Sequence, residues 1–131
     1  MGLVLLDSSV LIDLLRSRPG ARSRLESVFT SGDQPCACAI VAEEISVGLL
    51  PREREGASAM FEGLVEVPLG IAEGRLAGWW RASYRKRGRT LEQGDCLIAA
   101  AAVGVGAHLA TGNPKDFPMK GLAVEHWPVN E

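Results

Sequence analysis

Carboxylates are the side chains in this chain whose types and spacing could do chemistry. Asp7 directly follows an apolar run, Leu3-Val4-Leu5-Leu6, and Glu43 and Glu44 follow a second apolar segment. Asp95 opens a helical pattern rich in small residues, and Asp116 lies just past a third apolar run. Clustered carboxylates repel one another and raise each other's pKa unless a cation intervenes. Three or four hard oxygen donors, with no histidine or thiolate among them, suit Mg2+ or Mn2+ rather than zinc. Such an ion bridges carboxylates to phosphate, lowers the pKa of a bound water and stabilises charge on the attacked phosphate. Metal-assisted phosphodiester hydrolysis is therefore the chemistry these residues fit. Each acid also has an ordinary use. Asp7 can cap a helix in competition with Ser8 or Ser9, Asp95 after Gly94 is a natural N-cap, Asp116 suits a turn, and both glutamates suit a solvated helix face. What separates the two readings is whether all four land on one edge of one sheet.

The elements that must position them follow from hydrophobic period and punctuation. Residues 3–6 form an all-apolar run expected of a strand buried on both faces. A helix capped by Ser8 or Ser9 carries Val10, Leu11, Leu14 and Leu15 and stops at Pro19-Gly20. A second helix is expected over 21–30, a strand over 35–40, and a helix bearing Val41, Ile45 and Leu49 that Pro51 closes. Residues 52–63 read as helix, 65–67 as a brief strand, 71–87 as a long amphipathic helix and 95–104 as another. A strand over 107–110, a turn over 111–114 and a last strand over 122–127 complete the chain. Strands alternate with helices throughout, which predicts an α/β sandwich with a mostly parallel sheet in a single domain spanning 1–131. In such a sheet ligands gather outside the carboxyl ends of the strands. Asp7, Glu43, Glu44 and Asp116 each follow a strand, Asp116 only if its loop folds back, and Asp95 opens the helix that feeds strand 107–110.

A helical wheel separates the two glutamates. With the buried stripe set by Val41, Ile45 and Leu49, Glu43 falls near the opposite pole and Glu44 on the stripe's margin beside Gly48. Glu44 is the better functional candidate. Composition limits the alternatives. The 131 residues carry 16 acids and 14 bases, a formal charge of −2, which excludes a uniformly basic coat while leaving local patches open. No apolar run reaches the length of a membrane span. Three cysteines, Cys36, Cys38 and Cys96, suggest reduced, buried thiols and a cytoplasmic setting. His108 and His126 accompany no serine elbow, so a hydrolase triad has no support.

Four segments carry a family resemblance. They are Leu5-Leu6-Asp7-Ser8-Ser9-Val10-Leu11-Ile12-Asp13; Ala42-Glu43-Glu44 ahead of Gly48; Gly94-Asp95-Cys96-Leu97-Ile98-Ala99-Ala100; and Thr111-Gly112-Asn113-Pro114-Lys115-Asp116-Phe117. In order and spacing they resemble the motifs of PIN-domain ribonucleases, most closely the VapC-type toxins of toxin–antitoxin pairs, over essentially the whole chain. The resemblance implies a PIN-like three-layer sandwich and a magnesium- or manganese-dependent RNA endonuclease. It also implies a homodimer and an antitoxin that blocks the acidic site. By motif position Asp7, Glu44, Asp95 and Asp116 take the metal-site roles, with Thr111 and Asn113 in support. Ser8 stands where the family often has threonine, and the doubled Glu43-Glu44 leaves the second acid shared between two positions.

Residues 79–89 hold five of the fourteen bases and no acid. Arg81, Arg85, Lys86, Arg87 and Arg89 could carry RNA phosphates, with Tyr84 or a tryptophan stacking on a base. The competing reading is a solvated helix edge, with Leu76, Trp80 and Tyr84 as its core stripe and Trp79 outward. Arg16, Arg18, Arg22 and Arg24 form a second basic group. Two other classes stay open at this point. One is a non-catalytic RNA- or protein-binding module on the same fold. The other is a phosphate-handling receiver or phosphatase-like domain, which Ser9 disfavours by standing where a second Asp would belong.

Overall fold

The computed structural model describes residues 2–129. Its frame is a five-stranded, all-parallel sheet in the order β3-β2-β1-β4-β5. The strands are β1 (Leu3–Leu6), β2 (Gln34–Ala37), β3 (Val65–Glu66), β4 (His108–Thr111) and β5 (Val124–His126). Six helices flank it: α1 (Ser8–Leu15), α2 (Ala21–Thr30), α3 (Ala39–Val47), α4 (Arg54–Glu62), α5 (Ile71–Lys86) and α6 (Gln93–Gly104). One-turn 3-10 segments occupy Pro51–Glu53 and Pro114–Asp116.

β1 is central because its residues can be buried on both faces. Val4, Leu5 and Leu6 are all buried, and β1 pairs with β2 through Leu3–Gln34, Val4–Pro35 and Leu5–Cys36. On its other side Val4, Leu5 and Leu6 pair with His108, Leu109 and Ala110. The chain first builds outward from β1 to β2 and β3, then crosses over to β4 and β5. The strand order therefore reverses between β1 and β4, and in such sheets ligands bind outside the carboxyl ends at the switch point. Asp7 sits at that point. Its N–H donates to the Ala110 carbonyl at 2.9 Å, extending the ladder by one residue before the chain turns into α1.

α6 fits closely because it is built of small residues. Cys96 and the stretch Ile98 to Ala102 are fully buried, packed against α5, α3 and β4. α5 lies outside it, half-burying Leu76, Trp80 and Tyr84 as its core-facing stripe and leaving Trp79 64% exposed, as the periodicity predicts.

Five boundaries differ from the sequence reading. The strand expected over 35–40 ends at Ala37, and Cys38 becomes the extended N-cap of α3. Cys38, Ala39 and Ile40 are apolar enough to read as strand, but they form the helix start that a parallel crossover needs. Cys36 and Cys38 accordingly do not share one strand; both are buried and free. The α1 cap is Asp7 rather than a serine, and α6 begins at Gln93, so Asp95 is not a cap. β4 extends to Thr111, bringing that hydroxyl into the sheet edge, and β5 covers only Val124–His126 of the expected 122–127.

Candidate active site

Asp7 stands at the switch point, its carboxyl group buried. Its Oδ1 accepts the Ser8 N–H at 2.8 Å. Its Oδ2 accepts the Thr111 hydroxyl at 2.6 Å and the Ser9 hydroxyl at 3.2 Å. A buried carboxylate is tolerated only when its lone pairs are satisfied, and charge-assisted bonds of this kind are the strong ones. The same donors join the two central strands. The Ser9 Oγ accepts the Gly112 N–H at 3.1 Å and Thr111 Oγ1 accepts the Asn113 N–H at 3.0 Å. The end of β1 and the loop after β4 are thus locked to one carboxylate.

Glu44 reaches this edge from α3. The Ser8 hydroxyl donates to its Oε1 at 2.9 Å, tying the second acid to the first segment. Glu43 points to solvent, as the wheel predicts, and Glu44 is half-buried. Burial raises the Glu44 pKa, and Asp7 and Glu43 raise it further, against the Ser8 hydroxyl, which lowers it. Gly94 in the first turn of α6 makes room for it. A Cβ on that residue would stand 2.8 Å from Glu44 Oε2.

Asp95, one residue on, has its carboxyl pushed up to about 7. Burial is the largest cause, followed by repulsion from Asp7, Asp116, Glu44 and Glu92. Asp116 arrives from the 3-10 turn after β4, so the loop does fold back. All four acids named from sequence therefore share one edge and one electrostatic environment. Ser8 and Thr111 support it through side chains. Asn113 does so only through its backbone N–H. Ser9 supports it too, a role the motif positions do not name; its place two residues past Asp7, in the first turn of α1, is the signal for it.

The donor set fits a hard divalent cation: it is oxygen-only, acidic, and unneutralised at Asp95. As the side chains lie, no three acids among the described residues close around a single point. Mg2+ is commonly held through one or two carboxylates while keeping several waters, so a spread cluster suits it.

The basic stretch divides. Arg85 and Lys86 are exposed on the last turn of α5. The Arg81 Nε is buried between helices without a hydrogen-bond partner, and its charge acts on buried Cys96, opposing the rise that burial imposes on that thiol. The Arg87 guanidinium covers the Tyr84 ring at 4.2 Å. Arg89 Nη2 donates to the Lys115 carbonyl at 2.7 Å, so the end of α5 borders the Asp116 turn. His108 faces Glu125 at the opposite end of the sheet, 3.2 Å away, remote from this chemistry.

An all-parallel sheet of this order, with acids from four segments near its switch point, defines a class of small α/β domains with an acidic edge. Residues 4–119 match the PIN domain family, and the chain belongs to that family. It is 31% identical over 115 residues to Ribonuclease VapC19 of Mycobacterium tuberculosis (strain CDC 1551 / Oshkosh), covering 88% of this chain and 92% of that one. It is 34% identical over 118 residues to Ribonuclease VapC10 of the same strain, covering 89% and 87%. A solved VapBC2 structure from Rickettsia felis, bound to a DNA fragment from its promoter, superposes with a TM-score of 0.85 at 19% identity, covering 95% of this chain and 98% of that one. At that identity the likeness shows the fold alone, and the fold is the one expected.

Proposed function

We propose that this chain is a divalent-metal-dependent RNA endonuclease and the toxin of a toxin–antitoxin pair. The observation that carries the reading is the placement of Asp7, Glu44, Asp95 and Asp116 from four segments at one edge of the sheet, with Ser8 bonded to both Asp7 and Glu44 and Asp95 repelled by the other three acids. Family membership and two relatives named as ribonucleases support RNA as the substrate. Asp7, Glu44, Asp95 and Asp116 would hold Mg2+ or Mn2+. When bound, the ion supplies charge neutralisation at the scissile phosphate and a more acidic water. The chain's own residues do the positioning. Ser8, Ser9 and Thr111 fix the Asp7 carboxylate, and Ser8 sets Glu44 against it. Exposed Arg85 and Lys86 meet the substrate backbone, giving salt-sensitive binding beside an acidic centre. Buried thiols and the lack of any helix long and apolar enough to cross a membrane, among the described residues, suit action in the cytoplasm.

The antitoxin partner has a matching surface. A groove of about 940 Å3 runs between α1, α2 and α4, floored by Leu14, Leu25, Met60 and Leu64 and edged by Arg18 and Arg22. An amphipathic segment with acidic residues on its outer side fits that chemistry, and VapBC complexes among the structural neighbours support a protein partner. Because α1 runs from this groove to Asp7, a segment lying along it can reach the acidic edge.

RNA incubated with the purified chain tests the activity. Cleavage is expected with Mg2+ or Mn2+ and is expected to vanish with EDTA or in Asp95→Asn. Full cleavage by Asp95→Asn with Mg2+ present overturns the reading.

A further inference from the structure

The sequence leaves the five bases of residues 81–89 between phosphate contacts and a solvated helix edge, and Arg89 makes a bond that neither reading includes. α5 ends in a left-handed glycine cap. Gly88 has φ +81°, its N–H donates to the Arg85 carbonyl at 3.0 Å, and the Arg89 N–H donates to the Tyr84 carbonyl at 2.9 Å. That six-to-one bond is the Schellman arrangement, and it fixes where the Arg89 side chain starts. From there Nη2 reaches the Lys115 carbonyl at 2.7 Å. The Tyr84 hydroxyl, from the same cap, donates to the Pro118 carbonyl at 2.9 Å. The two bonds bracket Asp116. Between and beyond them, Phe117 and Met119 are buried as anchors.

The Lys115 carbonyl belongs to the peptide plane that leads into Asp116, so holding its oxygen fixes the axis about which the Asp116 Cα–Cβ bond can turn, and the turn's own bonds limit that rotation. The turn itself is short. It rests on the Asp116 N–H to the Asn113 carbonyl at 3.0 Å and the Phe117 N–H to the Pro114 carbonyl at 3.0 Å. A single 3-10 turn is weakly self-supporting, and an acid on it needs an outside partner to keep one orientation. We propose that Arg89 is a positioning residue for Asp116, not a contact to substrate phosphate. The inference rests on the nuclease reading above only for its kinetic consequences. Arg85 and Lys86 remain the phosphate contacts, and Arg89 uses its charge to strengthen one hydrogen bond to the site's loop.

The test compares Arg89→Ala, Arg89→Lys and Arg85→Ala in the full chain. Three readouts apply: Mn2+ binding by calorimetry, hydrogen exchange of the Asp116 and Phe117 amides, and cleavage kinetics over a salt series. Arg89→Ala is expected to weaken Mn2+ binding about 10-fold and to speed exchange of both amides. It is also expected to lower kcat while leaving KM and the salt slope unchanged, and Arg89→Lys is expected to recover part of each loss. Arg85→Ala should instead raise KM and reduce the salt slope by about 1. Unchanged Mn2+ affinity and exchange in Arg89→Ala, with or without a rise in KM, overturns the proposal. If the wild-type chain cleaves no RNA, the nuclease reading fails, and Mn2+ binding and exchange still decide the role of Arg89.

Discussion

The two halves of the acidic edge are built on opposite principles. On the β1 side Asp7 is buried and served by three donors from Ser8, Ser9 and Thr111, so its negative charge is answered within the protein. On the α6 side Asp95 is half-buried and surrounded by other acids, with every cause acting on it pushing its carboxyl up. One half is a finished scaffold; the other is a concentration of charge that the fold leaves unanswered. A protein selected only for stability would not leave Asp95 in this position, because charge repulsion and burial both cost free energy there. A divalent cation is the partner that makes the second half as favourable as the first.

That contrast predicts opposite signs for substitutions in the two halves. The largest effect is expected from Asp95→Asn. Cleavage should fall by more than the roughly 10–100-fold that loss of an outer supporting group costs. The same substitution should stabilise the protein in EDTA by about 1 kcal/mol, raising Tm by roughly 3 °C, because a repelling charge is removed from a half-exposed site. A lower Tm would break the comparison. Thr111→Val comes next. It keeps the shape of a fully buried residue but removes the 2.6 Å bond to Asp7, so stability should fall by about 1–2 kcal/mol and activity with it. Chemical denaturation of this pair side by side shows whether the signs really oppose.

A smaller effect sharpens the boundary between the halves. Gly94→Ala places a methyl 2.8 Å from Glu44 Oε2, the movable end of a side chain. The helix should gain about 0.5–1 kcal/mol from the lost glycine, while Mn2+ affinity falls because Glu44 is displaced. The smallest effect on catalysis is expected at Ala59, exposed in the α1–α2–α4 groove. Ala59→Arg should leave RNA cleavage unchanged and weaken binding of the purified cognate antitoxin about 10-fold, or 1.4 kcal/mol, by calorimetry.

Much of this was legible in the sequence because strand ends and acids coincide. Leu3 to Leu6 announces a doubly buried strand, and Asp7 follows it without a spacer, so its place at the sheet edge needed no knowledge of tertiary packing. The choice of Glu44 over Glu43 was also readable, since a helix wheel depends only on local period. The start of α3 was not. Cys38-Ala39-Ile40 is as apolar as the strand before it, and only the parallel crossover decides where extended backbone becomes helix. Nor could periodicity show that α6 begins at Gln93, which turns Asp95 from a cap into an inward-facing helical residue. The differing tasks of Arg85 and Arg89 were hidden as well. Both are exposed cations in one basic run, and what separates them is a carbonyl 26 residues away.

The net charge of −2 thus averages over two segregated regions, an acidic edge and a basic helix end that borders it. Calorimetric titration of the RNA-free chain with Mn2+, wild type against Asp95→Asn, measures the central claim without relying on any substrate. Saturable binding by the wild type that Asp95→Asn loses is the predicted result. Equal binding by the two proteins, or none by the wild type, would contradict it.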